Sequence, residues 1–416
     1  MSEFNTKSKQ SRMAGNLVDK LLTIKTPLTL QATQVLTAGV ALSVSLLAAA
    51  SMLPQARGEL AFWLQIGYVL TTACLLGLER PFAAAGPRSA STAARDLVQL
   101  VRPGLLACAA LAVCGIVALA TNRTEAAFLL LLGTAFVLGN LFVRLLRTRF
   151  ITSATTRQYV LTTVTCQLIL LSVAVLLYAL HISDPKMWLA AYAATSLPYC
   201  AIIFTSSFSG KVSAKSELKA IRRSGLKLFP ASFGNTAMLR SDRLLLPVLA
   251  SPAELGIYIV VASVMELASW PIQNWVDASL GKWRSRVINR KAQIRILLWS
   301  FFIAALLASI LALTTAGIIL WFLPDQYSPA LTLIAPLGIA SVIYSVSRIQ
   351  QGLLIARNQN GRVTVTETIG MAASVGFYVI LIPLYGGIGA AIGSLIGYSA
   401  CVVVAGRFLR SSHHAE

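Results

Sequence analysis

The residues best placed to do chemistry are Arg240, Asp242 and Arg243, three charges in the middle of an apolar run at about residues 227–250. One such charge at the centre of a lipid-spanning helix costs about 2.5 to 3.5 kcal/mol. That cost demands either a compensating partner or a wet interior. On a helix, Arg240 and Arg243 are three residues apart and share a face, whereas Asp242 points elsewhere. Guanidinium groups hold phosphate or carboxylate through paired hydrogen bonds, so two of them on one face suit an anionic group crossing the membrane. The opposing reading is that Asp242, Glu266, Glu367 or Glu79 neutralises the arginines and the cluster only pins helices together. Glu266, Glu367 and Glu79 are also the candidates for carrying a coupling proton or sodium ion, since a carboxylate in a low dielectric can cycle its charge.

Other chemistries find no residues. Outer loops are too short for a substantial external catalytic surface, and their acids (Glu59, Glu125, Asp184, Glu254, Asp325) stand singly, which disfavours a glycosidase-like carboxylate pair or a catalytic triad. No G-x-x-x-x-G-K-[S/T] loop occurs, so no nucleotide-driven pump, and neither a cofactor nor a metal is expected. The six cysteines (Cys74, Cys108, Cys114, Cys166, Cys200, Cys401) all fall in apolar runs, where a thiol behaves as a small hydrophobe.

The elements that must position these charges are membrane helices. The chain is 56% hydrophobic and 12% charged, with a mean hydropathy of +0.73, against roughly 25% charged in a globular domain. Apolar runs of about 18 to 25 residues recur, the length a helix needs to cross roughly 30 Å of hydrocarbon. Twelve spans are predicted, at about residues 28–53, 60–79, 99–121, 125–146, 159–181, 187–207, 227–250, 255–277, 296–321, 329–348, 363–385 and 388–406. The run after the polar, basic segment 1–25 is too long for a signal peptide and reads as a retained first helix.

Charge then orients the spans. With both termini on one side, only Arg57, Arg123 and Lys186 of the 35 lysines and arginines fall on the other, Arg240 and Arg243 lying within a span. The basic side is therefore cytoplasmic, in a multi-pass protein of the bacterial inner membrane. The net charge of +20 is absorbed by this partition, with basic clusters meeting anionic headgroups rather than nucleic acid.

The longest basic loop, 208–226, separates six spans from six, giving an expected N-terminal lobe (1–207), a cytoplasmic linker (208–226) and a C-terminal lobe (227–416). An internal echo accompanies the division. Pro54 and Gly58 match Pro252 and Gly256 at an offset of 198, as Glu79 and Arg88 match Asp277 and Arg286. Gly389, Gly393 and Gly397 recur every four residues in the last span, a spacing that lets a neighbouring helix approach closely.

Two stretches carry a family resemblance. MLRSDRLLLPVLASPAELGIY, from Met238 to Tyr258, resembles the seventh span and following turn of lipid-linked oligosaccharide flippases in the multidrug/oligosaccharidyl-lipid/polysaccharide exporter superfamily. YGGIGAAIGSLIGY, from Tyr385 to Tyr398, is similar to that family's Gly- and Ala-rich start of the twelfth span. The resemblance implies an all-α integral membrane protein of twelve transmembrane helices, in two six-helix lobes around a central cationic cavity. It further implies a transporter, not an enzyme, that flips an undecaprenyl-pyrophosphate-linked oligosaccharide for surface polysaccharide (lipopolysaccharide or exopolysaccharide) biosynthesis, with Arg240, Arg243 and Asp242 at the substrate. The partners so expected are the lipid-linked glycan, membrane lipids and the polysaccharide assembly machinery, the chain acting as a monomer. The alternative within the superfamily is a cation-coupled multidrug exporter, which would favour acids over arginines in its cavity.

Overall fold

The computed structural model describes residues 32–33, 35–153, 156–285 and 289–411. The basic segment 1–25, the start of the first predicted span and Arg286 lie outside the described residues. Among those described there is no strand.

The helices run in chain order α1 (Val35–Ser51), α2 (Pro54–Leu75), α3 (Glu79–Ala84), α4 (Ala90–Leu100), α5 (Arg102–Ala120), α6 (Thr124–Ser153) and α7 (Thr156–Ala179). They continue with α8 (Pro185–Phe208), α9 (Lys215–Leu249), α10 (Pro252–Glu266), α11 (Trp270–Ser285), α12 (Arg290–Trp321), α13 (Leu331–Ala356) and α14 (Asn360–Ser411). Local chemistry sets several starts. Pro54, Pro185 and Pro252 stand in the first turns of α2, α8 and α10, where a missing N–H costs nothing. Ser251 and Asn289 cap α10 and α12 by accepting the backbone N–H of Glu254 and of Ala292.

Eight described segments are long and apolar enough to cross a membrane. One of them is α14, whose 52 residues would reach about 78 Å if straight. It is not straight. Gly386 adopts φ 54° and ψ −129°, and the chain folds back on itself there. A Cβ on Gly389 would strike the carbonyl of Leu381, one on Gly393 the ring of Tyr378, and one on Gly397 the hydroxyl of Ser374. The glycine stripe thus exists so that the returning arm can lie against the outgoing one. Counting α14 twice and joining α10 to α11 as one pass, α1, α2 and α9 complete twelve.

The molecule is an all-α, multi-pass membrane protein of two lobes. The Lys- and Arg-rich connections lie at one end of the bundle, the basic end. At that end the two lobes have separate cores: one around Leu97, Leu141, Phe142 and Ile203, the other around Ile272, Ile349, Leu353 and Leu354. At the opposite end one core joins them, since Ala49 of α1 and Ala61 of α2 are buried with Leu255, Tyr258, Tyr327 and Ile382.

Two short helices, α3 and α4, occupy a stretch where the spans alone predict a loop. The apolar face of α4 (Ala93, Ala94, Leu97, Leu100) is buried against α6 and α8. Fully buried Asp96 on that helix accepts hydrogen bonds from the Ser213 amide at 3.1 Å and hydroxyl at 2.5 Å. Arg88 pairs with both Asp96 and Glu217, and Arg95 donates to the Gly210 carbonyl at 2.6 Å. The connection between lobes is therefore fastened to the first lobe, and residues 215–226 form the opening turns of α9.

Candidate functional site

The polar residues of α2 and α9 organise the space between the lobes. Gln65, Tyr68 and Thr72 recur at helical spacing on α2, and Ser232, Asn235, Thr236, Arg240 and Arg243 do so on α9. The two helices are in contact, and these residues form a polar strip from the basic end to mid-depth.

At the inner end of the strip lie the charges expected to be functional. Arg240 donates to Gln65 Oε1 at 3.0 Å, stands 5.5 Å over the ring of Tyr68, and reaches Glu266 at 4.0 Å. Arg243 pairs with the same carboxylate at 2.6 Å. Glu266 ends α10, just before a 3-10 turn (Leu267–Ser269) that breaks the pass. The shared face predicted for the two arginines is thus filled by one glutamate.

Accessibility separates the members of the cluster. The side chain of Arg243 is 3% exposed and that of Arg240 is 27% exposed. Asp242, two residues from Arg240 and one from Arg243, forms no ion pair with either guanidinium group among the described residues, and accepts the hydroxyl of buried Tyr258 at 2.7 Å and the amide of Arg243 at 2.8 Å. Of the two guanidinium groups, that of Arg240 is the more exposed. Gln65, the Tyr68 ring and Glu266 hold it in place.

Nearer the basic end the strip widens into two adjoining cavities of about 310 and about 140 Å³, which share Arg80, Ser232 and Asn235. The smaller also meets Thr72, Glu79 and Arg144, and the larger Arg348, Gln351 and Glu367. Glu79 pairs with Arg144 at 2.9 Å, and that arginine also donates to Thr72 at 3.1 Å. Glu367 pairs with Arg348 at 3.5 Å. Each of the three interior glutamates thus carries an arginine partner, while Arg80 has no carboxylate partner among the described residues. The Oδ1 atom of Asn235 is buried without a hydrogen-bond partner. Sequence reasoning missed Gln65, Tyr68, Thr72, Ser232 and Asn235. The signal was there, as polar residues recurring every three or four positions within apolar runs.

Beyond Arg240, toward the opposite end, the strip stops. A Cβ on Gly58 of α2 would overlap the carbonyl of Pro252, and a Cβ on Gly256 of α10 would overlap that of Pro54. Pro54, Gly58, Pro252 and Gly256, two of the pairs that repeat at an offset of 198, are each other's neighbours, in a reciprocal crossing of helix starts. Tyr327 locks the same region by donating to the Met52 carbonyl at 3.0 Å. Arg57, which the charge partition assigns to an outer loop, is instead 3% exposed behind this contact and donates to Ser45 Oγ at 2.7 Å.

The architecture has counterparts among solved structures. The lipid II flippase MurJ in an inward closed conformation matches with a TM-score of 0.66 at 13% identity, over 91% of this chain and 87% of that one. An inward-facing multidrug resistance MATE family transporter of the MOP superfamily matches at 0.64 and 14%, over 91% and 95%; an outward-facing one matches at 0.55 and 14%, over 94% and 96%. The chain shares its fold with these solved transporters. No family model matches the sequence, and no curated protein is detectably similar to it. Within this fold, the strip between α2 and α9 lies between the two lobes, open at one end and sealed at the other.

Proposed function

We propose that this chain is a transporter that flips an anionic, lipid-linked oligosaccharide, an undecaprenyl-pyrophosphate-linked unit for surface polysaccharide assembly, across the bacterial inner membrane. The basic end faces the cytoplasm and both termini lie there, in keeping with the partition of lysine and arginine. The observation that carries the reading is Arg240: a partly accessible guanidinium within the span, at the head of a strip whose mouth holds Arg80, Arg144 and Arg348. Such a series of arginines fits a diphosphate that enters from the cytoplasmic leaflet and is handed inward. Of the two MATE conformations, the inward-facing one has the higher TM-score, which agrees with a strip open only at the basic end.

A second reading, a cation-coupled multidrug exporter, draws on the MATE neighbours and on Glu266, Glu367 and Glu79 as ion carriers. The arginine partner on each of these acids favours the flippase.

The test is complementation. Arg240→Ala is expected to reach the membrane at wild-type level and yet leave a flippase-deficient strain without surface polysaccharide, whereas Arg240→Lys restores it in part. Normal polysaccharide from Arg240→Ala would overturn the assignment. Dye efflux that collapses with the ion gradient, in the same cells, would favour the exporter.

A further inference from the structure

A second arginine-lined pocket lies away from the strip, on the outer side of the second lobe at the basic end. It measures about 290 Å³ and is lined by the start of α12, the last third of α13 and the end of α14, through Arg290, Ile294, Leu297, Gln350, Gly406 and Arg410. No carboxylate pairs with Arg290 or Arg410 among the described residues. Arg290 opens α12, so its charge adds to the positive end of the helix dipole, an arrangement that disfavours a cation and favours an anion. Gln350 is 6% exposed, and its Oε1 atom has no hydrogen-bond partner.

The other face of α12 continues the site outward. A groove of about 400 Å³ shares Ile294 with the pocket and runs along Leu298, Trp299 and Phe302, all strongly exposed, beneath Lys291 and Arg295. Charge at the level of the headgroups and an apolar wall at the level of the chains are the two halves of a phospholipid site.

We infer that Arg290, Arg410 and Gln350 bind the phosphate headgroup of an anionic phospholipid whose acyl chain lies along Ile294, Leu298, Trp299 and Phe302. This site is independent of the transported substrate. The arginines supply charge-assisted hydrogen bonds to phosphate oxygens, and the Gln350 amide supplies a partner for the glycerol hydroxyls. Gly406 keeps the pocket open, because a Cβ there would stand 3.4 Å from Gln350 Nε2 and any longer side chain would fill the space.

The test uses the full chain purified in mild detergent, with phosphatidylglycerol and phosphatidylethanolamine as probes and native mass spectrometry as the readout. The wild type is expected to retain phosphatidylglycerol preferentially. Arg290→Gln with Arg410→Gln is expected to lower that retention about 30-fold, which is about 2 kcal/mol for two headgroup-level charges. Gly406→Leu keeps both charges and is expected to lose the lipid as well. Lys211→Gln with Arg223→Gln removes two charges from the same end elsewhere and is expected to change nothing. Retention unchanged in either pocket variant, equal loss in the control pair, or displacement of the lipid by millimolar inorganic phosphate would each overturn the proposal. Thermal melting of every variant separates lipid loss from unfolding.

Discussion

The two ends of the bundle solve opposite problems with different residues. At the basic end the lobes have separate cores, and the space between them is lined by Arg80, Arg144, Arg348 and the acids paired with two of these. At the other end the cores are one, and the lobes meet backbone to backbone at Gly58 and Gly256. Polar lining keeps water as a competitor for every contact, so an open end can widen or narrow at little cost. A glycine crossing has no such competitor, and its stability comes from close van der Waals approach that any added atom would destroy. Alternating access would therefore have its switch at the sealed end, because that contact is either made or absent.

The largest effect should come from breaking the seal. Gly256→Leu puts a side chain where the Pro54 carbonyl lies, and no rotamer relieves a clash with backbone. The sealed form should lose about 3 kcal/mol or more, an overpacking penalty at the upper end of the usual range. The expected readout is labelling, by a membrane-impermeant thiol reagent, of a cysteine placed at Ser45 behind the seal. If the variant stays unlabelled and melts like the wild type, the crossing is not the closure. A smaller effect is expected from Tyr327→Phe, which removes the hydroxyl that meets the Met52 carbonyl and leaves the packing intact. About 1 kcal/mol is expected, seen as a modest rise in the same labelling.

How much of this was legible follows from what lipid demands of a chain. The twelve passes were readable because hydrocarbon tolerates only long apolar helices, and the fold-back between the last two could be placed because Gly386 and Gly387 interrupt an otherwise continuous apolar run. The offset between Pro54–Gly58 and Pro252–Gly256 was visible as well, though only coordinates turn a repeat into a contact. Side-chain partners were not readable. That Glu266 serves both Arg240 and Arg243, or that Glu79 takes Arg144, depends on the rotation and tilt of helices far apart in sequence. Arg57 escaped for another reason: three residues from a proline at a helix start, it counts as a loop residue by charge, while α2 has already begun at Pro54 and carries it inward. Helices α3 and α4 escaped because, at 6 and 11 residues, they are too short to cross the bilayer, and a search for spans passes over them.

The smallest effect should lie at the open end, and it sharpens the comparison most. Glu79→Gln removes the partner of Arg144 at the mouth of the strip, where the two side chains are 32% and 39% exposed. A pair so wet contributes only about 0 to 1 kcal/mol to stability, so the melting temperature should barely move. Transport should respond more than stability, because Arg144 then stands beside Arg80 with no acid to offset it. If the arginines receive a diphosphate, half-saturation in a reconstituted flipping assay should fall to a lower substrate concentration, with more dependence on salt. If Glu79 instead carries a coupling ion, the same variant would stop gradient-driven transport outright. A pair worth almost nothing to the fold thus separates a mouth built to collect anions from one built to exchange a cation.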